Sequence, residues 1–342
     1  MSQDERLMIL QMVADKKITP SEGVALLQAL EGDEEPSGGT SAPPRTGQRS
    51  GQSGGLGSSL TNLIEETVER VAGVLSELKG QQYQFPTEIT GVFTVDEVPL
   101  RIFSGNGPVE LRSWDEPGYK AQIVSKTRAS NQAEAQRQAQ EACRVTATET
   151  GFQLETDRGF ANALSDVEVH LTLFLPRDRV YHLETSTGNG PIRIEGLRLS
   201  EGSARTGNGR ITVRNVIADR LYLKSGNGSI EVDADVADLE ASTGNGSLRV
   251  IPTGRRSEQM QLKTGNGSAT IDTGRLSRDT GLYIDAHTGM GSVSISRSGL
   301  VYELDERNIG YKHVIAHTEG FDTAEPKVSL RVRTGFGSIT VE

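Results

Sequence analysis

The stretch Leu221-Tyr222-Leu223-Lys224-Ser225-Gly226-Asn227-Gly228-Ser229-Ile230-Glu231-Val232-Asp233 decides how this chain is built. Apolar and polar residues alternate on both sides of a Gly-Asn-Gly. Period-two alternation over four to six residues is the pattern of a half-buried strand. Glycine adopts positive φ without steric penalty and asparagine is the next most tolerant residue, so the tripeptide reads as a corner. The corner asparagines are Asn106, Asn189, Asn208, Asn227, Asn245 and Asn266, each between two glycines, and degenerate copies follow at Gly289-Met290-Gly291 and Gly335-Phe336-Gly337. From Gly188 the first glycines step by 19, 19, 18, 21 and 24 residues, then by 46, which reads as two turns. A fixed period near 20 residues marks a repeat protein whose units stack on their neighbours.

After each Gly-x-Gly comes an apolar pair in the same register: Ile192 and Ile194, Ile211 and Val213, Leu248 and Val250, Val293 and Ile295, Ile339 and Val341. A second apolar group sits between strands, as Leu197 with Leu199, Val216 with Ile217, and Val236 with Leu239. Asn-Gly also closes two-residue hairpins, so a hairpin array competes with a solenoid. Hairpins would show a turn signal every 8–12 residues or so. Here it comes once per coil, which favours the solenoid. The expected fold is mainly β, a β-solenoid with about 19–24 residues per coil.

Four segments follow along the chain. Residues 1–31 read as a helical hairpin, with Thr19 as N-cap, Pro20 at the first helical position and Glu22 completing a capping box. Its apolar side chains Leu7, Leu10, Val24, Leu27 and Leu30 are the candidate partner-binding residues. A hairpin this small buries too little alone and calls for a partner surface or self-association. Residues 32–57 are a Gly/Ser/Pro linker, expected to be disordered and, as a random coil, to span roughly 30 Å. Residues 58–80 read as an amphipathic helix, with Leu60, Leu63, Ile64, Val68, Val71, Leu75 and Leu78 in one stripe. It is the candidate cap for the N-terminal end of the stack. Residues 81–342 form the strand-repeat region, with a short helix or excursion expected at 131–142 and an unbroken repeat from about 180 onwards.

Composition narrows the function classes. Hydrophobic residues make up 35% and aromatic residues 5%, which suits a thin solenoid better than a large globular enzyme. The net charge is −10 with no Lys/Arg-rich run, which argues against nucleic acid and anionic membrane surfaces as partners. The single cysteine, Cys143, rules out an intrachain disulfide. The opening Met1-Ser2-Gln3-Asp4-Glu5-Arg6 carries no basic segment leading into an apolar core, and no run of 18 apolar residues follows. The expectation is a cytoplasmic chain, peripheral to the membrane rather than spanning it.

No constellation points to chemistry. Gly-Asn-Gly-Ser lacks the Lys-Ser/Thr of a phosphate loop, and its repetition argues for a structural corner. The asparagines are expected to stack as a ladder, each bonding the backbone of the next coil. Met290 and Phe336 would end that ladder. His170, His182, His287, His313 and His317 read as surface residues, and Asp233 and Asp235 as solvated strand faces. No catalytic residue, cofactor or metal is expected.

Ser104-Gly105-Asn106-Gly107-Pro108-Val109-Glu110-Leu111 with Trp114-Asp115, then Leu175-Pro176 and the serial Thr-Gly-Asn-Gly-x-Ile units, resemble the bacterial "putative adhesin" β-strand-repeat family of unknown function, which is Toastrack-like. Lys17-Ile18-Thr19-Pro20-Ser21-Glu22-Gly23-Val24 resembles a SHOCT-like N-terminal helical hairpin. The resemblance implies a scaffold associated with phage-shock and cell-envelope stress systems, whose partners would be membrane-associated stress-response proteins. A surface adhesin and, further off, a carbohydrate-active solenoid are the alternatives.

Overall fold

The structure, a computed structural model, describes residues 81–156 and 167–342. The helical hairpin, the linker and the 58–80 helix therefore lie outside the described residues, as do Leu7, Leu10, Val24, Leu27 and Leu30.

The chain is a β-solenoid, and its coils pair in parallel. Each coil places one longer strand before its Gly-x-Gly and one shorter strand after it. Coil 1 is Glu97–Asn106 with Val109–Trp114, and coil 2 is Val180–Asn189 with Ile192–Glu195. The strands Arg198–Asn208, Ile211–Asn227 and Ile230–Asn245 run through corners without a break, and with Leu248–Ile251 they make coils 3, 4 and 5. Coil 6 is Glu258–Asn266 with Ala269–Ile271. Longer strands pair with longer strands and shorter with shorter, so Asn106, Asn189, Asn208, Asn227, Asn245 and Asn266 lie in one register column.

Alternation places the core. Along Ile230–Asn245 every inward position is buried, and Ile211, Val213, Leu223, Ile230, Val236 and Leu239 are inaccessible to solvent. The alternate residues face outwards with their charges. One apolar residue departs from the expected inward set: Ile217 is exposed while Val216 beside it is buried. The reason is a second corner. Asn215 stands at φ 52°, in the slot that Gly196 fills at φ 72° one coil earlier, and the turn shifts the alternation by one residue, so Val216 faces in and Ile217 faces out.

The 46-residue step is not two turns of the stack. After coil 6 the chain makes coil 7, Gly281–Met290 with Val293–Ile295, and ends as coil 8, Lys327–Phe336 with Ile339–Val341. Coil 8 inserts between the other two. Its strand Lys327–Phe336 pairs with Glu258–Asn266 on one side and with Gly281–Met290 on the other, both in parallel. The spatial order is therefore 1-2-3-4-5-6-8-7. Parallel pairing demands matched register and a buried apolar face, not adjacency in sequence. Val328, Leu330 and Val332 supply that face with no exposure.

The segment between coils 7 and 8 is an antiparallel hairpin, Leu300–Asn308 with Tyr311–Thr318, whose second strand pairs with coil 7. At the other end, Cys143–Thr148 and Gly151–Thr156 form a hairpin that pairs onto Glu97–Asn106. Glu168–Pro176 pairs with Val109–Trp114 and with the antiparallel strand Tyr119–Ala129. The excursion expected at 131–142 is the helix Gln132–Ala142.

Candidate binding end

The Ser/Thr-Gly-Asn-Gly units build a spine with a separate duty for each residue. The hydroxyl is buried and donates to a glycine carbonyl of the preceding coil: Thr206 to Gly190 at 3.0 Å, Ser225 to Gly209 at 2.9 Å, Thr243 to Gly228 at 2.8 Å and Thr264 to Gly246 at 2.9 Å. The first glycine lets two coils approach. A Cβ on Gly226 would stand 2.5 Å from the Gly207 carbonyl oxygen. The second glycine meets the same limit, since a Cβ on Gly228 would lie 2.0 Å from the Gly209 oxygen.

The asparagine faces solvent and bonds sideways. Asn189 Nδ2 donates to Asn106 Oδ1, Asn208 to Asn189 and Asn227 to Asn208, each at 2.7 Å. Asn245 to Asn227 and Asn266 to Asn245 follow at 2.8 Å. The ladder thus runs amide to amide, not amide to backbone as the sequence suggested. The backbone partners are already taken, for example Gly209 N–H to the Asn227 carbonyl at 3.0 Å. No asparagine of the spine has positive φ; among the described non-glycine residues only Asn215 does.

Where the ladder stops, apolar side chains replace it. Phe336 takes the position next to Asn266, and Met290 the position next to Phe336. Both are exposed, at 59% and 60%. The terminal hairpin adds to them. Ile309 at its tip is fully exposed, and Tyr311 beside it rests against His287 with ring centroids 4.9 Å apart. The Lys312 ammonium donates to the Gly291 carbonyl and ties the tip to the Met290 corner. Of eight exposed large hydrophobic residues among those described, six (Met290, Val301, Tyr302, Ile309, Tyr311, Phe336) belong to this end. Met290 and Phe336 are register neighbours on this end, and exposed apolar side chains brought together in that way make a candidate interaction surface.

The rim is acidic and histidine-bearing. His313 Nε2 lies 2.8 Å from Asp285 Oδ1, and His317 Nε2 lies 3.3 Å from Glu303 Oε1. His313 and His317 sit four apart on one strand face. Sequence spacing linked them, and only strand pairing shows that each has its own carboxylate. Among the described residues no three His, Cys, Asp or Glu side chains are grouped as a metal site. His170 pairs with Glu168 at 2.6 Å, and His182 stands 4.0 Å from Glu201.

Asp233 and Asp235 are not simply solvated. Arg275 Nη2 donates to Asp233 at 3.0 Å. Arg256 Nε donates to Asp235 at 2.7 Å and its Nη1 to Asp219 at 3.0 Å, so one guanidinium clamps neighbouring coils. Sequence reading passed over Glu258, which is 1% exposed. Its Oε1 accepts from Thr253 Oγ1 at 2.7 Å and from the Thr253 and Gly254 amides, while Oε2 has no partner among the described residues. Burial holds its carboxyl above the usual range, and the bonds to Thr253 and Gly254 offset part of that rise.

The Toastrack DUF4097 family model matches residues 99–305, more than half of the chain. The chain belongs to the Toastrack DUF4097 family. A SHOCT-like domain model matches residues 4–35. The chain is similar to the uncharacterized protein YvlB of Bacillus subtilis (strain 168), 24% identical over 226 residues; the match takes in 59% of this chain and 57% of that relative. Among solved structures it is similar to a "putative cell adhesion protein" from Clostridium sporogenes ATCC 15579, at 13% identity and TM-score 0.36 over 75% of this chain and 99% of that one. A "putative adhesin" from Bacteroides fragilis NCTC 9343 follows at 11% identity and TM-score 0.35, over 77% and 97%.

Proposed function

We propose that this Toastrack chain is a tethered protein-binding scaffold of the bacterial cell-envelope stress response, cytoplasmic and peripheral to the membrane. The solenoid presents a rigid body, its C-terminal end docks a protein partner, and the SHOCT-like hairpin with Leu7, Leu10, Val24, Leu27 and Leu30 recruits a second one. The observation that carries the reading is the replacement of the ladder asparagine by Phe336 and Met290 beside the exposed tip Ile309 and Tyr311. A structural spine has no use for solvent-facing Phe and Met where Asn already closes the ladder. Large hydrophobic and aromatic side chains are the groups that anchor interfaces.

The test is proximity labelling in native cells with the full chain and with a Phe336→Asn, Met290→Asn double variant, which extends the ladder instead of breaking it. Loss of a defined set of envelope-stress proteins from the variant's labelled set, with its melting curve unchanged, is the expected result. An identical labelled set would overturn the C-terminal docking end. A set free of membrane-associated proteins would overturn the stress-response assignment.

A further inference from the structure

The strands and helix beside coil 1 hold a cavity of about 380 Å³, at the opposite end of the stack from the binding end. It is lined by the strands Gln81–Gly91, Tyr119–Ala129 and Cys143–Thr148 and by the helix Gln132–Ala142. Such a volume falls in the range of about 300–1,000 Å³ typical of small-molecule sites. Its origin is a mismatch in side-chain size. The helix buries only alanine, Ala135 and Ala139, against a strand that offers Ile123 and Ser125. Methyl groups at helix–sheet distance leave a gap that leucine or phenylalanine would close.

The lining has a definite chemistry. Phe85, Pro86, Ile123, Ala139, Cys143 and Val145 supply apolar wall, and the exposed Thr87, Gln136 and Gln140 stand at the rim. Among the described residues that line it, none is charged. Ser125 is the polar exception in the floor: it is 6% exposed, and its hydroxyl has no hydrogen-bond partner among the described residues. Two residues on, Thr127 Oγ1 donates to Gln138 Oε1 at 2.8 Å, so the same strand satisfies a buried hydroxyl where it can. The oxygen is not sealed by protein atoms, so it can bond to a molecule held in the cavity.

We propose that this cavity is a binding site for a small neutral molecule, a flat or short-chain apolar body carrying one hydroxyl, carbonyl or amide that bonds to Ser125. An ionised ligand would lose its hydration with no counter-charge to meet it. Burial pushes the Cys143 thiol up, so it stays protonated and binding is non-covalent. The proposal is independent of the docking end, since none of its residues belongs to that surface.

Cys143 is the only cysteine in the chain and lines the site, so it reports occupancy. The experiment measures the rate at which N-ethylmaleimide alkylates Cys143 in the full chain, with rising 1-naphthol and, separately, with 1-naphthalenesulfonate, the same ring bearing a charge. Saturable protection by naphthol of at least tenfold, with none from the sulfonate, is the expected result. Ala139→Leu, which fills the cavity, should abolish naphthol protection. Ser125→Ala should weaken naphthol about fivefold while leaving naphthalene unchanged, and circular dichroism checks that both variants fold. Protection that survives Ala139→Leu, or equal protection by the sulfonate, would overturn the site. A Cys143 that resists alkylation in the folded chain even as the pH is raised to ionise the thiol would overturn it too, because the cavity would then be closed.

Discussion

Asn227 and Gly226 are neighbours in one corner, yet they contribute to stability in different ways. Asn227 takes part in two solvent-facing amide bonds, to Asn208 and from Asn245. Exposed hydrogen bonds contribute little net, so Asn227→Ala should cost only about 1 kcal/mol. Gly226→Ala drives a methyl group into the Gly207 carbonyl, and backbone in a parallel ladder cannot step aside. A cost of about 1–3 kcal/mol is expected, and paired thermal melts should rank Gly226→Ala as the more damaging. Glu258 supplies a pH-dependent test. Its folded pKa is raised above the ordinary 4.5 by burial. Between the unfolded and folded values the native state binds more protons, so the contribution is fully present below the unfolded pKa and lost as pH rises through the folded one. Glu258→Gln keeps an oxygen for the Thr253 and Gly254 donors without the charge. It should raise Tm by about 2–4 °C at pH 7 and leave it unchanged near pH 4; a shift of equal size at both pH values would contradict this account.

At the scale of elements, the hairpin Leu300–Thr318 decides whether the stack ends. Its inner strand covers the hydrogen-bonding edge of Gly281–Met290 and buries Val314 and Ala316 against Ile284 and Ala286. The outer strand carries Glu303, Asp305, Glu306 and Arg307, and charge on an edge strand opposes further pairing. Replacing residues 300–318 by a short Gly/Ser linker should expose the coil 7 edge and give assemblies of higher mass than the wild-type chain, read by light scattering after size exclusion. A variant that keeps the wild-type mass would show that the hairpin is not the cap. A core change within a coil should act differently. Ile230 is fully buried, and Ile230→Asp places an unpaired carboxylate between two coils, a loss on the order of 4 kcal/mol. Hydrogen exchange should accelerate first in the strands on either side of it.

For the whole molecule, the inserted position of coil 8 changes what truncation means. In a stack that follows the sequence, removing the last coil breaks one interface and spares the rest. Here the strands of residues 327–341 face coil 6 on one side and coil 7 on the other. A chain ending at residue 326 should therefore release coil 7 and its hairpin together while coils 1–6 stay folded. Limited proteolysis checks this: rapid cleavage throughout 281–318 is expected, and protection of that region would contradict the insertion. The closing coil also sets folding order, because residues 281–318 cannot dock in their final place before the C-terminus arrives.

Much of this architecture was legible in the chain itself. Period-two alternation around Gly226-Asn227-Gly228 determined strand, corner and coil length, because a side chain in a strand has only two faces and a corner only a few permitted residues. The same regularity hid the order of coils 7 and 8. Gly289-Met290-Gly291 and Gly335-Phe336-Gly337 look like successive copies, and parallel pairing through equivalent apolar faces leaves no local mark of which neighbour a coil chooses. Ile217 escaped for a related reason, since one left-handed residue at Asn215 reverses the face without altering the pattern. The binding end and the cavity lay further from view. Phe336 rather than Met290 adjoins Asn266 only because coil 8 is inserted between coils 6 and 7, and Ser125 shares a cavity with Ala139 only because the helix packs over its strand. Local sequence determines which way each side chain points; which distant residues then share a surface or enclose a void is decided by tertiary packing, where burial and register are settled for the whole chain at once.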